Sequence, residues 1–98
     1  MYKLIYTSQA KHDWKIVKRS LHRKTVNNLL EIVKRNPLEY PPEFEYLLGN
    51  MDGAISRRIN KKHRFVYEIL PNSDSLTNET GAVYDGIVKI ISMWNHYE

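Results

Sequence analysis

The 98-residue sequence contains no cysteine and no apolar run approaching the eighteen or more residues that a membrane-spanning helix needs. The first absence excludes disulfides and thiolate zinc sites and fits a reducing, cytoplasmic setting. The second predicts no membrane segment. No charged, apolar and small-residue series at the start reads as a secretory signal. Basic residues are nearly missing from the last third: beyond residue 64, Lys89 is the only lysine or arginine.

What is present is correspondingly lopsided. Residues 1–64 hold 14 of the 15 lysines and arginines and 6 of the 11 acids, a balance of +8, while residues 65–98 carry −4. A basic surface of that size attracts nucleic acid, acidic protein or an anionic membrane. The length allows one hydrophobic core, so residues 1–98 are expected to form a single domain.

Tyr2–Thr7 alternates as a first strand. Ser8 has the chemistry of a helix N-cap, followed by Ala10, Trp14 and Val17 at helical spacing, with Lys11, Lys15, Lys18 and Arg19 facing outward. Ser20 is expected to cap a second helix with an apolar face of Leu21, Thr25, Leu29, Leu30 and Val33, ended by Asn36-Pro37. An extended loop, residues 37–43, contains Pro41-Pro42. Phe44–Leu48 reads as either a short strand or a turn of helix, and residues 49–53 as a turn cluster. Strands follow over Ala54–Ile59, Arg64–Leu70 and Val83–Met93, with residues 71–81 as a long, polar, flexible hairpin loop. The fold class is therefore α+β: an N-terminal strand, a two-helix hairpin, then a mostly antiparallel sheet with one face left open.

Alternation along these strands separates Ser56 and Arg58 from Ile55, Arg57 and Ile59, and Arg64, Val66 and Glu68 from Phe65, Tyr67 and Ile69. The bulky apolar set belongs to the core, so Arg64 points to the open face, and Arg58 joins it if the register pairs them. Guanidinium groups there suit phosphate, whose oxygens match their planar fork of donors. A metal-free RNA-cleaving site needs a base for the 2′-hydroxyl, fixed positive charge for the phosphorane-like transition state and an acid for the 5′-oxygen. Glu45, Arg58, Arg64 and His96 supply those types, His96 because imidazole titrates near neutrality. Tyr97 has the ring to stack on a base. Each has a plainer reading too: Glu45 as a solvated loop carboxylate, and Arg58 and Arg64 as surface ion pairs with Glu68 and Glu45. His63 fits a turn or core-edge histidine better than a catalyst, and His12 and His22 fit exposed helical positions.

Taken together, Phe44-Glu45-Tyr46-Leu47-Leu48-Gly49-Asn50-Met51-Asp52-Gly53, Ser56-Arg57-Arg58-Ile59-Asn60, His63-Arg64-Phe65-Val66-Tyr67 and His96-Tyr97 resemble the Txe/YoeB toxins, a branch of the RelE/ParE toxin superfamily. The resemblance extends over nearly the whole chain. It implies a RelE-like fold and a ribosome-dependent mRNA endonuclease acting in the A site, the toxin of a bacterial type II toxin–antitoxin pair. It also implies neutralisation by a YefM-like antitoxin over the active face, operator DNA bound only through the antitoxin complex, a homodimer, and no metal or other cofactor. By motif, Glu45 resembles the general base, His96 the general acid, Arg64 the transition-state stabiliser, Arg58 a phosphate contact and Tyr97 the aromatic that positions substrate.

Three departures stand out. Leu48 occupies a position where lysine is common, leaving Lys61 or Lys62 to compensate as phosphate contacts; the 71–81 loop is long; and Glu98 follows the usual terminal tyrosine, adding a carboxylate near His96. Two other functions fit the same resemblance: a ParE-like gyrase inhibitor that cleaves nothing, and an inactive toxin retained in a repressor complex.

Overall fold

The computed structural model describes residues 1–49 and 53–95. Along the chain run β1 (Tyr2–Tyr6), α1 (Ser8–Val17), α2 (Arg23–Arg35), β2 (Phe44–Tyr46), β3 (Ala54–Arg58), β4 (Arg64–Leu70) and β5 (Gly86–Asn95). The strands form one sheet in the order β1-β5-β4-β3-β2. Only the β1–β5 pairing is parallel, Leu4 standing opposite Val88, so the sheet is mostly antiparallel as expected. No helix among the described residues is long and apolar enough to cross a membrane.

Both helices pack on one sheet face. Ala10, Val17, Val26, Leu29 and Val33 meet Ile55, Phe65, Tyr67, Val88, Ile90 and Met93, all buried. Each Val, Leu, Ile, Phe or Met side chain withdrawn from water there contributes about 1.5–3 kcal/mol, which is what holds the helices against the sheet.

The helix starts differ from the sequence expectation. The α1 cap is Thr7, one residue before Ser8: directly after β1 its backbone is still extended (φ −72°, ψ 166°), and Oγ1 accepts from the Ala10 N–H at 3.0 Å. Ser20 does not cap α2. Its Oγ donates to the Val17 carbonyl and accepts from the His22 N–H, closing the end of α1. Because α2 begins only at Arg23, its buried stripe is Val26, Leu29 and Val33; Thr25 is exposed and Leu21, ahead of the helix, is 97% exposed. The α2 end is as read, with Asn36 extended before Pro37.

Strand limits also move. β3 stops at Arg58, β4 is as read, and β5 runs Gly86–Asn95, with Val83 making only an isolated bridge to Thr77. The polar connection is folded into turns: Asn72 bonds Leu76 and the Tyr84 carbonyl, while Asn78 Oδ1 accepts from the Thr80 and Ala82 N–H groups.

Against β4, β5 shifts register between Arg64 and Val66 and again between Val66 and Tyr67, and each shift spends one extra residue of β5. Such bulges bend a strand and leave backbone groups outside the ladder. Side chains from the α1 region satisfy them: Thr7 Oγ1 donates to the Ile91 carbonyl at 2.7 Å, and Asp13 Oδ2 accepts from the Met93 N–H at 2.9 Å. The bend brings Asn95 into register with Arg64 at the end of the sheet.

Candidate functional site

Across the open face, Glu45 on β2 stands opposite Ser56 on β3, which stands opposite Val66 on β4. One step along the same face, Arg58 stands opposite Arg64, which in turn is opposite Asn95. The conditional expectation that the register would bring the two arginines together therefore holds. Pro42, Glu43, Phe44, Glu45, Ser56, Arg58 and Arg64 line a cleft of about 310 Å³.

The electrostatics of that cleft are unusual for a sheet surface. Like charges directly opposite one another destabilise a strand pair, yet neither Arg58 nor Arg64 has a salt bridge among the described residues. The ion pairs of the plainer reading, with Glu68 and Glu45, do not form: Glu68 lies 3.6 Å from Lys89 instead, and Glu45 is exposed on the rim. Two guanidinium groups without a salt bridge among the described residues, beside an exposed carboxylate, can bind an anion and accept a proton within one cleft.

Arg57 faces the other way and is 1% exposed. Its Nε–H donates to Tyr67 Oη at 3.0 Å, one terminal nitrogen to the Pro42 carbonyl, and the other to the Pro37 and Glu39 carbonyls at 3.1 and 2.8 Å. The guanidinium also lies 4.8 Å from the centre of the Phe44 ring. Adjacent arginines in the sequence thus divide their work: Arg58 faces the cleft, while Arg57 fastens the 37–43 loop that supplies the cleft wall. Sequence reading placed Arg57 on the far face but gave it no task. The signal available was Pro37 and Pro41-Pro42 in the loop before Glu45: prolines have no N–H to donate to a strand ladder, so a loop rich in them leaves carbonyls to be met by side-chain donors.

Lys61 and Lys62 do not line the cleft. The turn after β3 carries them to a separate hollow with Leu21, His22, His63 and Trp94. There His63 stacks on Trp94 with ring centres 3.8 Å apart, as a residue at the core edge. His96 and Tyr97, the expected acid and stacking ring, and Glu98 lie outside the described residues, as do Asn50, Met51 and Asp52 of the turn cluster. In the sequence His96 directly follows Asn95, the register partner of Arg64.

Comparison with known proteins agrees with this architecture. The family described as YoeB-like toxin of bacterial type II toxin-antitoxin system matches residues 5–97. A Synechocystis protein named Toxin YoeB is 33% identical over 69 residues, covering 68% of this chain and 80% of that one. Among solved structures, a YoeB/ParE toxin from Agrobacterium tumefaciens superposes with a TM-score of 0.77 at 28% identity, covering 97% of this chain and 99% of the other. The YoeB–YefM complex from Staphylococcus aureus gives a TM-score of 0.69 at 30% identity, covering 99% of each chain. With a family match spanning residues 5–97 and the same helical hairpin packed on a five-stranded sheet, the chain belongs to the YoeB-like toxins of bacterial type II toxin–antitoxin systems.

Proposed function

We propose that the protein is a ribosome-dependent endoribonuclease that stops translation by cutting mRNA in the ribosomal A site. The observation that carries this reading is the arginine pair: Arg58 and Arg64 stand opposite each other without a salt bridge among the described residues, in a cleft whose rim holds Glu45. In the proposed step the ribose 2′-hydroxyl attacks the adjacent phosphorus as Glu45 takes its proton. Arg58 and Arg64 stabilise the extra negative charge on the phosphoryl oxygens. His96 protonates the departing 5′-oxygen, leaving a 2′,3′-cyclic phosphate and a 5′-hydroxyl. Tyr97 stacks on a base of the bound codon. Lys61 and Lys62, outside the cleft, attract the RNA backbone at longer range. No metal or other cofactor takes part in this step.

The partner is a YefM-like antitoxin, by analogy with the S. aureus complex. The toxin acts in the cytoplasm, forms a homodimer, and reaches operator DNA only through the antitoxin. Mapping mRNA 5′ ends after induced expression tests the reading. Cuts inside A-site codons of translated messages, absent with Glu45→Ala, are expected. Intact mRNA in growth-arrested cells, or equal cutting of untranslated messages, would sink it.

A further inference from the structure

Ser56 lies on the cleft floor, 3% exposed, and its hydroxyl has no hydrogen-bond partner among the described residues. No fully enclosed side-chain nitrogen or oxygen there lacks a partner. The Ser56 Oγ is therefore not sealed in the protein; it opens on the cleft that it lines. A nearly buried hydroxyl without a protein partner costs stability unless something else satisfies it. Alanine would serve equally well if packing beside the fully buried Val66 were the only requirement.

The position explains what could satisfy it. Ser56 has Glu45 opposite it on the neighbouring strand, and Arg58 two residues along on the same face, with Arg64 opposite Arg58. Positions on one face stand about 5 Å apart across strands and roughly 7 Å apart along a strand. A ligand reaching from the carboxylate to the two guanidinium groups must pass over Ser56. Among the described residues that line the cleft, its hydroxyl is the one neutral side-chain donor, small enough to admit a phosphate and able to rotate toward it.

We infer that Ser56 is a phosphate-contacting residue whose O–H donates to a non-bridging oxygen of the nucleotide phosphate held by Arg58 and Arg64. This contact rests on the reading of the cleft as the RNA-cleaving site. It adds a neutral hydrogen bond to the charge of the arginines and fixes the phosphate between them and Glu45.

The test uses the full chain and a short oligonucleotide in which every residue is 2′-deoxy, so that it lacks the nucleophile at each linkage and binds without being cut. Backbone amide shifts of Ser56, Arg58 and Arg64 are followed during titration. Wild type should bind, and Ser56→Ala should weaken binding about tenfold, the usual loss for one hydrogen bond to a charged group. Ser56→Cys keeps the volume but offers a poor donor, and should weaken it similarly. The urea midpoint of Ser56→Ala should stay level or rise, because no hydrogen bond among the described residues is lost; a structural role would lower it instead. Wild type failing to bind the oligonucleotide overturns the phosphate assignment of the whole cleft. Wild-type binding left intact by Ser56→Ala overturns the Ser56 contact alone. Binding lost in Ser56→Ala upholds it even if 5′-end mapping finds no A-site cuts.

Discussion

The Arg57 guanidinium and the Tyr67 hydroxyl share the Pro37 carbonyl: Arg57 donates to Tyr67 Oη at 3.0 Å, and both donate to Pro37, at 3.1 and 2.6 Å. Both residues are buried. They form a polar knot beneath the sheet that ties the 37–43 loop, and hence the cleft wall, to β3 and β4. Buried networks of this kind are rigid when complete and costly when broken.

Replacing Arg57 with lysine should therefore not be conservative. A lysine ammonium cannot reproduce the planar fork that reaches three carbonyls and a phenol together. Arg57→Lys is expected to lower unfolding free energy by about 2–4 kcal/mol, and Arg57→Ala by at least as much, from carbonyls left buried and unbonded. Chemical denaturation measures this. An Arg57→Lys midpoint equal to wild type means the knot contributes nothing.

Tyr67 gives the same network a pH signature. Burial raises its pKa above the ordinary tyrosine value, with the Arg57 hydrogen bond and charge acting as smaller, opposing influences. A folded-state pKa above the unfolded one means that unfolded chains lose the proton first. The stabilisation is complete below the ordinary tyrosine value, around pH 10, and is lost as pH rises from there through the raised folded-state value. Urea midpoints taken from about pH 8 to 11 should fall for wild type and fall less steeply for Tyr67→Phe. Tyr6, also raised chiefly by burial and further by Glu31, adds to the wild-type slope and remains in the variant. Parallel slopes would exclude Tyr67 as a source of the alkaline loss.

The cleft residues should behave in the opposite way, costing activity and little stability. Glu45 is exposed and neither Arg58 nor Arg64 has a salt bridge among the described residues. Glu45→Gln and Arg64→Ala should each reduce A-site cleavage about 10²- to 10⁴-fold, the range for losing a general base or a transition-state charge contact. Thermal midpoints should match wild type or, for Arg64→Ala, rise as the repulsion with Arg58 is relieved. Cleavage persisting within tenfold of wild type in both variants is incompatible with the proposed roles.

Strand periodicity carried most of the open face: the alternation of Ser56, Arg58, Arg64 and Val66 follows from the two-residue repeat, and the register then aligned the arginines. Helix starts were less legible, since Thr7, Ser8 and Ser20 share the same hydroxyl chemistry and only backbone geometry selects among them. The work of Arg57 was hidden because its partners are carbonyls 15 to 20 residues away, which no local pattern encodes. The β5 bulges were equally hidden, although Asp13, a carboxylate interrupting the stripe Ala10, Trp14 and Val17, was a trace of them.

That carboxylate supplies the last test. Asp13 is 2% exposed; Oδ2 accepts from the Met93 N–H inside the bulged region and Oδ1 from Gln9 Nε2 at 2.7 Å. Asp13→Ala strands the Met93 N–H away from water, a loss of about 1–3 kcal/mol. Asp13→Asn should cost less, because the amide oxygen can keep the Met93 bond while Gln9 turns its own amide to present oxygen. The effect on activity should exceed what the remaining folded fraction explains, since the bulge sets the path of β5 to Asn95, the register partner of Arg64. Measuring cleavage at a temperature where all three proteins are fully folded separates the two effects. Equal activity there for wild type and Asp13→Ala would show that the bulge supports the fold alone.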